Sequence, residues 1–176
     1  MKRIEISAAQ LNSLLSEEKD RYSSAIEELK AHNLTVSTAE SCTGGLIGKM
    51  FTDVSGASAA FVGGMITYTN HIKINKLGVS AETIGAHTEV SYECACEMAE
   101  RARELFESDL AISAPGYAGP AGGNERDAVG TVYLGIAAPE GSTVYRLSFG
   151  QLPRDTIRRG TALFAVEALL NAVSGK

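Results

Sequence analysis

The pattern of hydrophobic and polar positions predicts helices and strands in alternation from the N-terminus onward. Residues 7–28 carry leucines and isoleucines among many charged side chains, which is typical of two amphipathic helices, and we place the break between them near residues 19–22. The run LTVSTA, residues 34–39, is rich in β-branched residues and predicts a strand. A glycine turn follows, and then a helix that ends near residue 52.

The run AFVGGMITYTN, residues 60–70, predicts a second strand, and Gly63 and Gly64 lie inside it. Glycine has no side chain to pack in a sheet. A glycine within a strand therefore usually marks a β-bulge or a close approach by another backbone. We expect one of these two irregularities in the second strand.

The rest of the chain continues the alternation and closes on a hairpin and a long helix. The predicted elements are a short helix at residues 72–77 that Gly78 ends, a long helix that Ser91 caps and that ends near residue 106, a strand at residues 109–114, a glycine-rich loop at residues 115–123, a hairpin of residues 129–138 and 143–149, and a helix at residues 154–173. Alternating helices and strands predict an α/β fold. We expect a three-layer α/β/α sandwich with a mixed, mostly parallel sheet and a C-terminal hairpin.

Length and composition suit one domain with a single core. The chain has 176 residues, of which 44% are hydrophobic and 21% charged, and this composition is globular rather than disordered. We assign residues 1–176 to one domain, with residues 1–33 as an N-terminal helical extension that covers a sheet edge or mediates self-association. We also expect the protein to form a homodimer or a larger homo-oligomer.

Charge and hydropathy argue against some classes of partner. The formal net charge of −5 argues against a general nucleic-acid-binding surface but leaves a local anion site open. The N-terminal segment MKRIEISAAQL is basic but lacks the apolar core of a signal peptide, and no run approaches the about 20 apolar residues of a membrane span. We therefore expect a cytoplasmic protein that binds neither nucleic acid nor membrane.

The three cysteines are Cys42, Cys94 and Cys96. Their odd number favours a reducing compartment over a disulfide framework. Cys94 and Cys96 have the spacing of half a metal site, but no second pair of cysteines or histidines lies nearby in the sequence. We expect them to be small buried residues on a helix, and we expect no metal site.

The segment AESCTGG, which contains Ser41 and Cys42, is the first candidate for chemistry. It joins a predicted strand to a predicted helix, whose first turn offers free N–H groups and a positive partial charge. Thr43, Gly44 and Gly45 would let backbone amides approach an oxyanion or a phosphate. Either the serine or the cysteine could act as a nucleophile, although a serine before a helix is also typical of a simple cap.

The base that a serine nucleophile needs is not an obvious histidine. The histidines are His32, His71 and His87, and none has an evident supporting carboxylate. The second strand instead ends in TYTNHIK, which places Tyr68 and Lys73 at a strand end, where the sites of open α/β sheets collect. A lysine acts as a base when desolvation lowers its pKa toward neutrality, and the alternative is a solvated surface lysine.

Several blocks of sequence, in the same order, carry a resemblance to a known family. The blocks are TAESCTGG, GGMITYTNHIKINKLGV, VS followed by EMA, GYAGPAGG, VGTVYLG and RDTIRR. Over residues 34–173 the chain resembles the C-terminal domain family of the competence/damage-inducible protein CinA, whose characterised members are nicotinamide-nucleotide amidases. The resemblance implies hydrolysis of the carboxamide of nicotinamide mononucleotide to nicotinic acid mononucleotide and ammonia, which recycles pyridine nucleotide. It implies neither a metal nor a cofactor.

The resemblance also implies roles for individual residues. Ser41 would be the nucleophile, and Lys73 would take its proton and later pass one to the departing ammonia. Tyr68 would hold that lysine or relay the proton. Backbone amides of residues 42–45 would stabilise the tetrahedral oxyanion, which is often worth about 3 kcal/mol per donor. Cys42 would then be a packing residue, because neighbours on a turn rarely face one pocket.

A nucleotide substrate also needs a group that binds its phosphate. The candidates are Gly116, Tyr117, Ala118 and Gly119 of the glycine-rich loop, together with Arg154 and Arg158 at the start of the last helix. The two arginines are four positions apart and share a helix face, and arginine suits bidentate contact with phosphate. The alternative is that both are surface charges paired with Asp155 or with solvent.

One residue departs from the pattern of the family. Pro115 stands where family members usually carry serine or threonine, so a hydroxyl and a backbone N–H are missing there. Ser113 and Tyr117 are the candidates to replace that hydroxyl. Two alternatives to the amidase of a pyridine mononucleotide follow: a nucleotide-binding or sensing module with weakened catalysis, and an amidase of another small carboxamide.

Overall fold

The computed structural model describes residues 1–15 and 21–175, and its strands form one mixed sheet of six strands. In chain order the strands are β1 Lys2–Ile6, β2 Val36–Glu40, β3 Phe61–Ile66, β4 Leu110–Ala114, β5 Thr131–Ala138 and β6 Gly141–Ser148. Across the sheet they follow the order β1-β6-β5-β4-β2-β3. Strand β5 runs antiparallel to β4 and β6, whereas the other three pairings are parallel. The expected mixed, mostly parallel sheet with its C-terminal hairpin is confirmed.

Helices cover both faces of this sheet. They are α1 Ala8–Leu15, α2 Arg21–Ala31, α3 Leu46–Thr52, α4 Asn70–Ile72, α5 Ala81–His87, α6 Tyr92–Leu105 and α7 Arg154–Val173. Helix α4 continues directly into one π-helical turn, Lys73–Leu77, which Gly78 ends in the left-handed conformation. Helices α1, α2 and α3 pack with α7 on one face, and α5 packs with α6 on the other.

Strand β4 shows why the sheet is covered twice. Leu110 and Ile112 belong to the cluster that packs against α2, α3 and α7. Between them, Ala111 packs against Cys94 and Met98 of α6. Successive side chains of a strand point to opposite faces, so a strand that is apolar throughout needs a helix layer on each side. The predicted three-layer α/β/α sandwich is confirmed.

The prediction of a helical N-terminal extension is wrong for its first residues. Residues 2–6 form β1, which pairs in parallel with β6 and covers that edge of the sheet. Their sequence KRIEI alternates charged and apolar residues, the period of a strand with one buried face. Helices α1 and α2 match the two predicted helices, while residues 19 and 20 of the predicted break lie outside the described residues.

Strands β2 and β3 approach each other closely, as the glycines in β3 predicted. A Cβ atom on Gly64 would lie 2.0 Å from the Thr38 side chain and 3.0 Å from its carbonyl oxygen, so only glycine fits there. The register of the pair also shifts between Val36 and Ser37.

The long helix α7 belongs to the core. Its bounds agree with the predicted helix at residues 154–173, and it buries Ile157, Leu163 and Val166. Within the described parts of the chain, no helix has both the length and the apolar character that crossing a bilayer requires.

Candidate active site

The carboxyl ends of two neighbouring strands bring Ser41 and Lys73 into contact. Ser41 follows β2 directly, and its amide donates to the Ala114 carbonyl at the end of β4, at 3.3 Å. Lys73 follows β3, the parallel neighbour of β2. Lys73 Nζ lies 3.1 Å from Ser41 Oγ and donates to the Thr67 carbonyl at 2.9 Å. The amine and the hydroxyl are therefore within the distance that proton transfer requires.

Lys73 is buried, which changes the chemistry of its amine. Only 1% of the residue is exposed, because the turn after β3 carries it inward. Burial disfavours the ammonium form and lowers the pKa of Lys73, while nearby Cys94, Glu89 and Cys42 act to raise it. The sequence left a solvated surface lysine open as an alternative, and the structure excludes it.

The environment of Cys42 does not favour a nucleophilic role for its thiol. Its thiol is buried and donates to the Ala114 carbonyl at 3.4 Å. Burial, followed by the charge of Glu40, raises the pKa of Cys42 to about 12. Since the thiolate is the reactive form of cysteine, this environment favours Ser41 over Cys42 as the nucleophile.

A cavity of about 240 Å³ lies beside Ser41 and Lys73. Its lining comes from the end of β2, the turn after β3, the connection between α5 and α6, the glycine-rich loop and the start of α7. Within the described residues, the main-chain amides of Gly116, Ala118 and Gly119 donate to no protein oxygen. The three residues line the cavity.

Glu40, which the sequence analysis did not single out, holds the turn that presents Ser41. It is 2% exposed, and its carboxylate accepts from the amides of Gly45, Ile47 and Gly48 at 2.8–3.0 Å. An anion is favourable at a helix N-terminus, so Glu40 caps α3. The available signal was an acidic residue at a strand end, just before a helix.

The backbone amides of residues 42–45, which we expected to form the oxyanion site, are mostly bonded within the protein. Three of the four amides already donate to protein oxygens: that of Cys42 to Ala114 at 3.2 Å, that of Gly44 to Ser41 at 3.1 Å, and that of Gly45 to Glu40 at 2.9 Å. The amide of Thr43 has no partner among the described residues, but Thr43 is fully buried and does not line the cavity. The positive end of α3 is therefore occupied by the carboxylate of Glu40.

Arg154 connects two walls of the cavity. Its Nη1 donates to the Gly119 carbonyl at 2.8 Å, and its Nη2 donates to the Tyr68 hydroxyl at 3.2 Å. Tyr68 is 58% exposed. The expected hydrogen bond between Tyr68 and Lys73 is not present among the described residues: the hydroxyl of Tyr68 accepts from Arg154, and Lys73 Nζ bonds to Ser41 and Thr67.

Arg158 lies next to the serine turn but outside the cavity lining. Its Nη2 donates to the Thr43 carbonyl at 2.6 Å. A Cβ atom on Gly44 would come within 3.3 Å of that nitrogen, and the φ of +60° at Gly44 also favours glycine. Arg158 therefore supports the backbone that carries Ser41.

Comparison with known proteins identifies the family of this chain. Residues 19–173 match the sequence model of the CinA C-terminal domain. The chain belongs to the CinA C-terminal domain family. Residues 1–18, which include β1 and all of α1, lie outside the matched segment.

Relatives of two kinds share the CinA domain. A CinA-like protein of Fervidobacterium nodosum is 41% identical over 159 residues, which cover 89% of this chain and 38% of the relative. The nicotinamide-nucleotide amidohydrolase PncC of Escherichia coli K12 is 41% identical over 143 residues, which cover 81% of this chain and 87% of the relative. The chain thus spans about a third of the length of the longer relatives and most of the shorter one.

Solved structures of the CinA family share the fold. The competence/damage inducible protein CihA from Agrobacterium tumefaciens superposes with a TM-score of 0.84 at 37% identity, over 88% of this chain and 93% of that one. A CinA superfamily protein from Klebsiella pneumoniae gives the same TM-score at 28% identity, over 90% of this chain and all of that one.

Most of the residues that the CinA resemblance predicted for the site line one cavity. They are Ser41, Cys42, Tyr68, Lys73, Gly116, Tyr117, Ala118, Gly119 and Arg154. Four predicted binding residues lie elsewhere: Thr43, Gly44 and Arg158 support the serine turn, and Gly45 lines a separate groove beside β3. The sequence interpretation gave no role to Glu89, Val90 and Ala121, which also line the cavity. Val90 and Ala121 lie in two of the family blocks, but their apolar side chains suggested no chemistry.

Pro115 is buried, and its carbonyl accepts from the Tyr133 amide at 2.9 Å. Of the two residues considered as replacements for the missing hydroxyl, Ser113 is fully buried and donates to the Ala95 carbonyl of α6 at 2.6 Å. Tyr117 lines the cavity. Tyr117 is therefore the one that a ligand can reach.

Cys94 and Cys96 lie buried on α6, as the sequence predicted. Across the described residues, no group of three or more histidines, cysteines, aspartates or glutamates is arranged to hold a metal ion.

Proposed function

We propose that this protein is a nicotinamide-nucleotide amidase, which converts nicotinamide mononucleotide and water to nicotinic acid mononucleotide and ammonia. The observation that carries the proposal is the 3.1 Å contact between Lys73 Nζ and Ser41 Oγ in a cavity. Family membership and the 41% identity to the E. coli amidohydrolase support the choice of substrate.

The first half of the reaction forms an ester with Ser41. Neutral Lys73 takes the proton of the Ser41 hydroxyl, and Oγ attacks the carboxamide carbon. The resulting oxyanion collapses, the carbon–nitrogen bond breaks, and the lysine ammonium gives its proton to the leaving nitrogen. Ammonia departs, and the pyridine acyl group remains bound to Ser41.

The second half restores the enzyme. Lys73, neutral again, takes a proton from water, and the hydroxide attacks the ester carbon. The bond to Oγ then breaks, Ser41 recovers its proton from Lys73, and the product leaves as a carboxylic acid that ionises. A lysine with a lowered pKa suits both steps, because it is a base in one direction and an acid in the other.

In this proposal the glycine-rich loop takes the oxyanion role that the sequence analysis assigned to residues 42–45. The amides of Gly116, Ala118 and Gly119 have no protein partner among the described residues, and these residues line the same cavity as Ser41. Backbone donors of this kind stabilise a developing negative charge, often by about 3 kcal/mol each.

Arg154 binds the phosphate of the substrate in this proposal. It lines the cavity at the start of α7, and both of its terminal nitrogens already donate to neutral oxygens, on Gly119 and Tyr68. A phosphate is a stronger acceptor and can be bound by both nitrogens together. Tyr68 would then orient the arginine, and Arg158 would serve only the serine turn.

Ammonia release from nicotinamide mononucleotide tests the proposal. The wild-type protein should release ammonia, and Ser41→Ala should lower kcat by on the order of a thousandfold or more. Ser37→Ala is a matched control, because Ser37 lies in β2, the strand that Ser41 follows, but bonds to Ser108 in the core. Equal rates in the wild type and in Ser41→Ala would refute the serine mechanism.

The alternative is a nucleotide-binding module, and Pro115 is the observation that favours it. Proline supplies neither a hydroxyl nor an N–H at the start of the glycine-rich loop. Calorimetry distinguishes the two functions: tight binding of nicotinamide mononucleotide without ammonia release identifies the module. Ammonia release from other small carboxamides, without dependence on a phosphate, would identify a third function.

The assembly of the protein is part of the proposal. We expect residues 1–176 to behave as one domain and the protein to form a homodimer or a larger homo-oligomer. Light scattering on the purified protein measures the assembly state, and a monomer at micromolar concentration would contradict the expectation.

A further inference from the structure

Glu89 is a charged residue of the cavity that the proposed reaction does not use. It lies between α5 and α6 and lines the same cavity as Ser41, Lys73 and Arg154. It makes no hydrogen bond or ion pair within the described residues. A carboxylate without a protein partner in a cavity is available to a ligand.

The backbone before Glu89 is held in a costly conformation. Thr88 has φ 73° and ψ 166°, a region that is essentially restricted to glycine and is especially unfavourable for a β-branched residue. Two hydrogen bonds hold it there: Thr88 Oγ1 donates to the Val90 carbonyl at 3.0 Å, and Ser91 Oγ donates to the Thr88 carbonyl at 3.1 Å. Such strain persists at sites where a side chain must be aimed, and the next side chain is that of Glu89.

The two side chains of opposite charge, Glu89 and Arg154, act on different neighbours in the cavity. The carboxylate of Glu89 acts to raise the pKa values of Lys73 and Tyr117, whereas Arg154 acts to lower the pKa of Cys42. The cavity therefore carries a carboxylate close enough to influence Lys73 and Tyr117, and a guanidinium bonded to Tyr68 and Gly119. This distribution complements a molecule with a cationic part and an anionic part.

Nicotinamide mononucleotide is such a molecule, because its pyridinium ring is cationic and its phosphate is anionic. Hydrolysis turns the neutral carboxamide on that ring into a carboxylate, so the product gains a negative charge near the reacting carbon. Tyr117 adds an aromatic side chain to the same wall, and an aromatic face attracts a flat cation.

We propose that Glu89 is a specificity residue, which favours a cationic pyridinium ring in the cavity and repels the carboxylate of the product. The inference rests on the proposed function for the identity of the ligand. It goes beyond that function because it assigns to one side chain both the preference for the ring charge and the release of product.

Calorimetry with the Ser41→Ala variant tests the preference without turnover. The ligands are nicotinamide mononucleotide, its reduced form with a neutral dihydropyridine ring, and nicotinic acid mononucleotide. With Glu89 present, the cationic ring should bind about tenfold more tightly than the neutral ring, and Glu89→Gln should reduce this ratio to about twofold or less. The carboxylate product should bind about tenfold more tightly once Glu89 is replaced.

Glu82→Gln is the matched control, because this substitution removes the same charge from a residue that is exposed on α5 and does not line the cavity. It should leave both ratios unchanged. If Glu89→Gln does not fold, Glu89→Ala removes the same charge with a smaller side chain and must give the same result. Unchanged ratios in a folded Glu89 variant would overturn the inference.

The outcome also separates this inference from the proposed function. A wild-type protein that releases ammonia, with ligand ratios that do not depend on Glu89, keeps the function and refutes the inference. A wild-type protein that releases no ammonia, with ratios that do depend on Glu89, refutes the function and supports the inference.

Discussion

At the scale of single residues, the protonation of Lys73 sets the pH range of the proposed hydrolysis. Its pKa is lowered by burial, and Cys94, Glu89 and Cys42 act in the opposite direction. Both thiols have pKa values of about 12, so they remain neutral at ordinary pH. Glu89 is therefore the neighbouring charge whose removal should shift the pKa of Lys73.

We predict that kcat/KM rises with pH to a plateau, with a midpoint below the ordinary lysine pKa of about 10.4. Because the negative charge of Glu89 raises the pKa of Lys73, Glu89→Gln should move that midpoint to lower pH. Ammonia release measured across pH checks this, with Glu82→Gln as the control. A midpoint that stays in place or moves upward in Glu89→Gln would contradict the assigned electrostatics.

At the scale of elements, one carboxylate joins β2 to α3 and thereby fixes Ser41 between them. Glu40→Ala would leave the amides of Gly45, Ile47 and Gly48 without their acceptor inside the protein. We expect the free energy of unfolding to fall by about 2 kcal/mol and kcat to fall because the serine turn loosens. Urea denaturation and ammonia release measure the two effects.

Glu40→Gln is the comparison for that experiment, since it keeps one acceptor oxygen in nearly the same place. It should lose less stability and less activity than Glu40→Ala. If the alanine variant were as stable and active as the wild type, α3 would not depend on this cap.

The elements also show what the sequence could and could not predict. Helices α6 and α7 were predicted within a residue or two, because their apolar periodicity extends over several turns. Strand β1 was missed because its alternation covers only five residues, and helix α5 because its seven residues carry no clear stripe. Short patterns do not distinguish one element from another.

The site was predicted at the level of strand ends, but not at the level of side-chain partners. Neighbouring strands that end at one edge of a sheet place the backbones that lead to Ser41 and Lys73 close together. The pairing of Arg154 with Tyr68, 86 positions away, and of Arg158 with Thr43, 115 positions away, depends on the packed structure. No local pattern contains that information.

At the scale of the whole molecule, the N-terminal segment outside the family match is part of the packed structure. Helix α1 contacts α7, and Leu11 is 1% exposed in the main core cluster. We predict that Leu11→Ala lowers the free energy of unfolding by about 3 kcal/mol. Ammonia release at 25 °C should be unchanged, because α1 lines no part of the cavity. A stability loss below about 1 kcal/mol would show that α1 does not pack as described.

The central claim is that Ser41 and Lys73 act as one unit, and a double-mutant cycle on kcat for ammonia release tests it most directly. Ser41→Ala and Lys73→Met should each remove nearly all activity, and the double variant should be no slower than the slower single variant, because either change disables the same step. If the two losses multiply in the double variant, the residues act independently and the account of a serine activated by a buried lysine is wrong.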